Sequence, residues 1–294
     1  MQDAKRRLNQ LLEDARAGTL VPIRLTDQIE AIQAALLAAE QSHADELANI
    51  QQQASSAGDA QSVMTEYAEF IKTAVHELRT PMTSIRGYSD MLANPQMVGE
   101  LTDMQKELLS VIRSNTRRME NLLSDISIIN KLRAGILPVH NKMDMFKNIA
   151  QMAEKKTRPL AEELNRQLEF NIPQGLPLLN TDGEHLALVL TKLIENGLRY
   201  SPPGDGKVVV TASGEDGTLV ATIADNGIGM READLNNLGK LYYRGDHDVI
   251  REHKGSGLGM VIVYGLMNLL GGTVDVQSEL NKGTTFTLRL RGMS

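Results

Sequence analysis

Residues 70–91 read FIKTAVHELRTPMTSIRGYSDM, and this stretch decides how the first half of the chain folds. Its apolar residues, continued by Leu92, recur at alternating steps of four and three, which is the spacing of a helix packed in a bundle. The predicted seam consists of Ile71, Val75, Leu78, Met82, Ile85 and Leu92. We therefore expect one long helix with a single buried face.

A histidine lies at the edge of that face. His76 follows the seam residue Val75, and Thr80 lies one helical turn further on, so both side chains are expected to be accessible to water and to a docking partner. Pro81 stands inside the helical pattern, where it lacks a backbone donor and its ring presses on the carbonyl of Glu77. We expect a bend beside His76. Taken alone, this pattern fits both a reactive histidine and an ordinary solvated one.

The composition excludes several classes of function. Aromatic residues make up only 3% of the chain and Trp is absent, so the cores must be aliphatic. A formal net charge of -6 argues against a nucleic-acid-binding surface. Without cysteine there is no disulfide framework and no thiolate metal site, which fits a cytoplasmic protein. No run of about 18 apolar residues occurs, so we expect no membrane segment in this chain.

Three regions differ in their pattern. Residues 1–60 are polar, with helical apolar spacing, and we expect them to form a helical extension. Residues 61–134 turn at Asn94-Pro95 and continue with a second helical seam, made of Leu101, Met104, Leu108, Ile112, Met119, Leu122, Ile126 and Ile129. Because two helices alone cannot bury both apolar stripes, we expect a four-helix bundle formed by a homodimer.

Residues 135–294 mix short apolar runs with amphipathic segments. The predicted strands are 168–172, 208–212, 220–224, 274–277 and 285–290, and the predicted helices are 144–165, 183–200 and 258–270. This order indicates helices packed on one face of a mixed sheet, an α/β sandwich. The fold class is therefore multidomain, with an α hairpin domain followed by an α+β domain.

Two motifs in the second domain suit phosphate groups. Residues 193–202 read LIENGLRYSP, near the end of a predicted helix. Asn196 offers a neutral amide oxygen for a Mg²⁺ that keeps several waters, and Arg199, one turn later, offers a fixed charge to phosphate oxygens. Residues 254–260 read KGSGLGM and open the last helix, whose free N–H groups and dipole favour phosphate.

A third motif follows an apolar strand. Residues 225–230 read DNGIGM, and the glycines let the backbone pass close to a ligand. Residues 231–253 are charged and poor in core residues, so we expect a lid there. The lid contains the run Tyr242-Tyr243-Arg244.

In this order, these motifs resemble those of the sensor histidine kinases of two-component systems. The string HELRTP, from His76 to Pro81, is similar to their phosphoacceptor box. The resemblance implies that His76 is the phosphorylated nucleophile and that Glu77 accepts its proton. It also implies that Thr80 positions water for a phosphatase reaction on the response regulator, whose receiver domain is the expected partner. Residues 1–60 resemble the relay module found ahead of many such kinases, although a coiled-coil extension fits them equally well.

The same resemblance implies ATP and Mg²⁺ as ligands. Asp225 would accept a hydrogen bond from the adenine amino group, Asn196 would bind the metal, and Arg244 would reach the γ-phosphate or remain a solvated lid charge. The implied nucleotide-binding positions are Asn196, Arg199, Tyr200, Asp225, Gly227, Ile228, Gly229, Arg244, Gly255, Gly257, Leu258 and Gly259.

One departure leaves alternatives open. Lys192 stands four residues before Asn196, where the family often has a second asparagine. The gyrase and chaperone ATPases place a carboxylate there to activate water, and Lys192 cannot act as that base. A pseudokinase remains the alternative: a nucleotide-binding scaffold that regulates another kinase or regulator by docking.

Overall fold

The computed structural model describes residues 57–247, 250 and 255–293. The predictions for residues 1–56, for 248–249 and 251–253 of the lid, and for Lys254 lie outside the described residues. The described chain divides into two compact units, with the boundary between Ile136 and Leu137.

The first unit is a helical hairpin. Helix α1 spans Ala57–Leu92, the short α2 spans Pro95–Val98 and α3 spans Asp103–Arg133. Asn94 caps α2, because its side-chain oxygen accepts a hydrogen bond from the backbone N–H of Gln96. Thr102 and Gln105 form a capping box at the start of α3. The turn predicted at Asn94-Pro95 is confirmed.

Of the fourteen predicted seam residues, eight are buried, four are half-buried and two are exposed. Ile71, Val75, Leu78 and Met82 on α1 pack with the buried second half of α3, which contributes Met119, Leu122, Ile126 and Ile129. Leu92 is 47% exposed and Met104 is 73% exposed in the single chain, so their place in the seam stays a prediction that depends on the expected homodimer. Leu92 ends α1 and Met104 is the second residue of α3, so both residues lie at the same end of the hairpin. Ser89 is the last buried residue of α1.

The second unit contains a mixed sheet and its helices. The elements are β1 (Lys142–Met145), α4 (Phe146–Glu163), β2 (Gln167–Asn171), β3 (Leu178–Thr181), α5 (Gly183–Tyr200), β4 (Lys207–Glu215), β5 (Thr218–Asp225), α6 (Glu232–Leu235), α7 (Gly259–Leu269), β6 (Thr273–Glu279) and β7 (Gly283–Arg291). Five strands form one sheet in the order β2-β4-β5-β7-β6, in which only the β2–β4 pair is parallel. Strands β1 and β3 form a separate antiparallel pair.

The predicted α/β sandwich is confirmed, with two strands added. The five predicted strands are those of the main sheet, and the helix predicted at 183–200 has the bounds of α5. Strands β1 and β3 were missed because each has only four residues, too few for a periodic apolar pattern. The helix predicted at 144–165 was wrong at its start, because Asp144 and Met145 belong to β1 and α4 begins at Phe146.

The core lies between the sheet and helices α4, α5 and α7. Alternate sheet residues are fully or almost fully buried, among them Val208, Val210, Ala221, Ile223, Phe286 and Leu288. Helix α5 is buried on most of its surface and keeps one half-exposed stripe, which contains Lys192, Glu195, Asn196 and Arg199. The packing therefore turns the predicted phosphate-binding residues to a single open face. Across the described residues, no helix is both long and apolar enough to cross a lipid bilayer.

Candidate functional site

The histidine of the first unit is exposed. His76, Glu77 and Thr80 all face solvent, whereas their neighbours Val75 and Leu78 are buried. The hydroxyl of Thr80 donates to the carbonyl oxygen of His76 at 3.3 Å, and α1 is unbroken through Pro81. The imidazole and the adjacent carboxylate are thus presented together on an open helix face, as the sequence predicts.

In the second unit, α5 meets the start of α7. The amide nitrogen of Asn196 lies 3.9 Å from the sulfur of Met260, in the first turn of α7. The glycine run that opens α7 is therefore beside Asn196. The contact between the two helices places an amide and a helix N-terminus at one point, although they are far apart in sequence.

Asp225 is held by backbone donors from two directions. Its Oδ1 accepts from the N–H of Gly227 at 2.8 Å and from the N–H of Thr284 at 3.2 Å. Burial raises the pKa of Asp225 to about 6, although the two N–H groups act in the opposite sense. Oδ2 accepts neither of these backbone bonds, so a ligand that donates a hydrogen bond to Oδ2 would further stabilise the ionised carboxylate.

Thr284 is a site residue that sequence reasoning missed. It lies opposite Asp225 in the register of β5 and β7, and it is buried. The only sequence signal was a Gly-Thr pair at the start of the last strand. That signal gains meaning only when the strand pairing is known.

Two glycines permit close backbone contacts around this aspartate and the glycine run. Gly229 has φ +61°, and a Cβ there would lie 2.0 Å from the carbonyl oxygen of Glu279. Gly257 has φ +71°, and a Cβ there would lie 2.6 Å from the carbonyl carbon of Tyr242. Both positions exclude any other residue without movement of the main chain. Next to Gly229, the N–H of Ile228 donates to the carbonyl of Tyr200 at 3.0 Å, which fastens the turn to the end of α5.

Arg244 lies beside the glycine run. Its guanidinium donates to the carbonyl of Ile250. A Cβ built on Gly255 would lie 3.8 Å from Nε of Arg244 and 3.9 Å from the hydroxyl of Tyr200. Residues from α5, from the lid and from the glycine run therefore converge. Leu258 is buried, and Gly259 has open space where a side chain would be.

The site offers one neutral ligand and several cations rather than a preformed metal cage. Among residues 57–247, 250 and 255–293, no group of three or more His, Cys, Asp or Glu side chains is suited to hold a metal ion. Asn196 can still serve a Mg²⁺, because that ion keeps most of its waters and takes its other ligands from substrate phosphates.

Comparison with protein families gives two matches. Residues 66–135 match the His Kinase A (phospho-acceptor) domain, and residues 181–292 match the histidine kinase-, DNA gyrase B-, and HSP90-like ATPase family. The chain belongs to the sensor histidine kinases. The two matches cover the exposed helix with His76 and the domain with Asn196 and Asp225.

Named relatives agree with this assignment. The histidine kinase is 31% identical over 232 residues to the histidine protein kinase DivJ of Caulobacter vibrioides, a match covering 79% of this chain and 38% of DivJ. It is 30% identical over 224 residues to the sensor protein SrrB of Staphylococcus aureus, covering 76% of this chain and 37% of SrrB. The chain thus spans less than two fifths of the length of these relatives.

Solved structures share the fold. Full-length ShkA, crystallised with AMPPNP, matches with a TM-score of 0.64 at 23% identity, over 77% of this chain and 46% of ShkA. The Acinetobacter baumannii histidine kinase AdeS matches with a TM-score of 0.53 at 20% identity, over 74% of this chain and 98% of AdeS.

Proposed function

We propose that this chain is the kinase part of a two-component sensor, which phosphorylates itself on His76 with ATP and passes the phosphoryl group to an aspartate of a response regulator. The observation that carries the proposal is the exposed imidazole of His76 on a phospho-acceptor helix, in a chain that also contains an ATPase-family domain. The proposed organisation is a helical extension at 1–60, the phosphotransfer domain at 61–134 and the ATP-binding domain at 135–294.

The reaction needs three actions of this chain's own residues. The neutral imidazole of His76 attacks the γ-phosphorus, so that an N–P bond forms as the bond to ADP breaks. Glu77 takes the proton from the other ring nitrogen, which keeps the product imidazole neutral. Arg199 and Arg244 offset the negative charge of the transferring group, because their guanidinium charges are fixed at any working pH.

The nucleotide is held at both ends. We infer that Oδ2 of Asp225 accepts from the adenine amino group, since its Oδ1 already accepts from Gly227 and Thr284. Asn196 and the N–H groups at the start of α7 face the phosphates. Mg²⁺ bound at Asn196 would supply further charge to the phosphates. The walls of the proposed nucleotide site are formed by Tyr200, Ile228 and Leu258 and by the glycines Gly227, Gly229, Gly255, Gly257 and Gly259.

The hairpin supports a homodimer. Several apolar side chains on α1 and α3 are exposed in the single chain, including Phe70, Tyr88, Met104 and Val111. Covering them with a second copy would complete a four-helix bundle. Light scattering should give the mass of two chains. The lack of cysteine is the support for a cytoplasmic location.

A reverse activity also fits the helix. Thr80 lies one turn after His76 on the exposed face, where its hydroxyl would position a water against a phosphorylated regulator. Thr80→Ala should lose dephosphorylation of the regulator and retain phosphorylation of His76. Full phosphatase activity in Thr80→Ala would refute this role.

Labelling tests the kinase proposal. The purified chain is incubated with Mg²⁺ and γ-labelled ATP and then treated with acid or base. The expected label is acid-labile and base-stable, absent from His76→Gln and present in the matched control His140→Gln, which alters an exposed histidine of the other unit. Nucleotide binding without label would instead support the pseudokinase scaffold.

A further inference from the structure

One buried carboxylate fastens the described part of the lid. Asp234 is 9% exposed. Its Oδ2 accepts from Nε of Arg231 at 3.0 Å, and its Oδ1 accepts from the hydroxyl of Tyr243 at 2.7 Å. The Arg231 hydrogen bond is the main reason that the pKa of Asp234 lies below its usual value, so the carboxylate is ionised at neutral pH. We call these three residues the Asp234 cluster.

The cluster holds the chain on both sides of Arg244. On one side Tyr243 bonds to Asp234 directly. On the other side, Nη2 of Arg231 donates to the carbonyl of Asp246 at 3.2 Å, and a Cβ on Gly245 would lie 3.3 Å from Oδ1 of Asp234. Hydrogen bonds thus hold the chain at Tyr243 and at Asp246, on either side of Arg244.

The other side of the run Tyr242-Tyr243-Arg244 contacts the glycine loop, which we define as residues 255–259. Tyr242 has φ +59°, an unusual value for a residue with a side chain, and its backbone is in close contact with Gly257. The guanidinium of Arg244 lies next to Gly255. Tyr243 therefore points to the cluster, while the residues before and after it face the glycine loop.

We propose that the Asp234 cluster positions Arg244: by holding Tyr243, it keeps the guanidinium beside the glycine loop, where it contacts the γ-phosphate of ATP. Asp234 and Tyr243 are positioning residues in this account, since they act only through Arg244. The inference rests on the proposed function, because it needs ATP in this site. It goes further because it makes the preference for ATP over ADP depend on Asp234 and Tyr243, which do not themselves contact the nucleotide.

The alternative is that the cluster only stabilises the lid. A merely structural role would change ATP and ADP affinity together, whereas positioning of Arg244 changes ATP affinity alone, because ADP lacks the γ-phosphate. A double-substitution cycle separates the two, since residues that act through one group are not additive.

The experiment measures ATP and ADP affinity of the full chain by calorimetry with Mg²⁺. The variants are Tyr243→Phe, Arg244→Gln and the double variant. Tyr264→Phe is the matched control, because it removes the hydroxyl of a tyrosine whose ring packs on Gly239 of the lid, outside the cluster. Asp234→Asn is a second test of the cluster that keeps the side-chain volume.

We expect Tyr243→Phe to lower the affinity for ATP about fivefold and the affinity for ADP less than about twofold. Arg244→Gln should weaken ATP about tenfold, and adding Tyr243→Phe to it should change nothing further. Asp234→Asn should lower ATP affinity and spare ADP affinity as Tyr243→Phe does. Tyr264→Phe should bind both nucleotides as the unmodified chain does.

Equal losses of ATP and ADP affinity, additive effects, or an unchanged ATP affinity in Tyr243→Phe would overturn the proposal. An unchanged ratio of ATP to ADP affinity in Arg244→Gln, with His76 still labelled, would overturn it and leave the kinase intact. Failure of the unmodified chain to bind ATP would overturn both.

Discussion

The two functional regions of this histidine kinase are built in opposite ways. His76, Glu77 and Thr80 come from little more than one turn of α1, and they are exposed. The nucleotide region instead joins groups that are distant in sequence: Asp225 bonds to Thr284, 59 residues away, and Asn196 contacts Met260, 64 residues away.

In the proposed reaction, this difference assigns ATP binding to the nucleotide region and acceptance of the phosphoryl group to α1. Asp225 and Arg244 are already held by hydrogen bonds to the backbone, and such preorganisation lets a site stabilise charge without rearranging during the reaction. Helix α1, by contrast, would only present His76 as the proposed nucleophile. Substitutions in the nucleotide region should therefore change ATP affinity, and substitutions on the helix should change phosphoryl transfer alone.

Asp225→Asn should have the largest effect on binding. The amide keeps an acceptor for Gly227 and Thr284 but turns a donor towards the adenine amino group, so ATP affinity should fall between about tenfold and a hundredfold. His76→Gln, measured beside it by calorimetry, should bind ATP like the unmodified chain. If His76→Gln lost affinity as well, the proposed separation of the two regions would be wrong.

The same variant should stabilise the nucleotide-free domain. The folded-state pKa of Asp225, about 6, lies above the ordinary value of 3.8, so the folded state binds more protons between these values. The associated stability is present in acid and is lost as the pH rises through about 6. Because asparagine never ionises, the free energy of unfolding of Asp225→Asn at pH 7.5 should exceed that of the unmodified chain by about 2 kcal/mol. Chemical denaturation measures this, and a loss of stability would contradict it.

The pH dependence of binding should be the next largest effect. The proposed bond from the adenine amino group requires ionised Asp225, so ATP affinity should fall about tenfold between pH 8 and pH 5. Asp225→Asn is the control, since it removes the titrating group and should show a flatter profile. Equal profiles in the two proteins would assign the pH effect to the nucleotide or to another residue.

Lys192 should lower the dependence of binding on Mg²⁺. It lies one turn before Asn196 on the half-exposed stripe of α5, about 6 Å along the helix axis. A fixed cation there attracts the triphosphate and repels the metal. Lys192→Asn should lower ATP affinity about fivefold in EDTA and by less with Mg²⁺. The control Lys156→Asn, which alters an exposed lysine of α4, should leave both affinities unchanged. An equal loss with and without Mg²⁺ would refute this role.

Gly197→Ala should give the smallest effect. A Cβ there would lie 2.9 Å from Cγ2 of Val208 and 3.2 Å from Cβ of Asp225, so α5 must shift slightly or Val208 must turn. Alanine favours the helix by up to about 1 kcal/mol, which offsets part of this strain. We expect ATP affinity to fall about twofold to threefold through displacement of Asp225. Tighter binding in this variant would contradict the described packing.

The sequence predicts best where structure is local. Helix α5 was assigned with its observed ends, because Asp182 caps its first turn and its apolar period is regular. The exposure of His76 followed from its step beside Val75. In the same way, the Asp225 motif could be recognised because it directly follows the apolar strand β5.

Long-range pairing sets the limit of such prediction. Thr284 joins the site only through the register of β5 and β7, and the Asp234 cluster depends on how the lid folds back on its own start. The exposure of Leu92 and Met104 in the single chain shows that periodicity does not tell which seam residues pack within the hairpin and which await a second copy. Strand β1 can be recognised as a strand only from its pairing with β3.

The most direct test of the proposed phosphorylation of His76 is to identify the residue that carries the phosphoryl group. The chain is incubated with ATP and Mg²⁺, digested under alkaline conditions that preserve phosphohistidine, and mapped by mass spectrometry. We predict one phosphoryl group on the peptide that contains His76, none in His76→Gln, and unchanged ATP affinity in that variant. ATP binding with phosphate on another residue, or with none, would contradict the account.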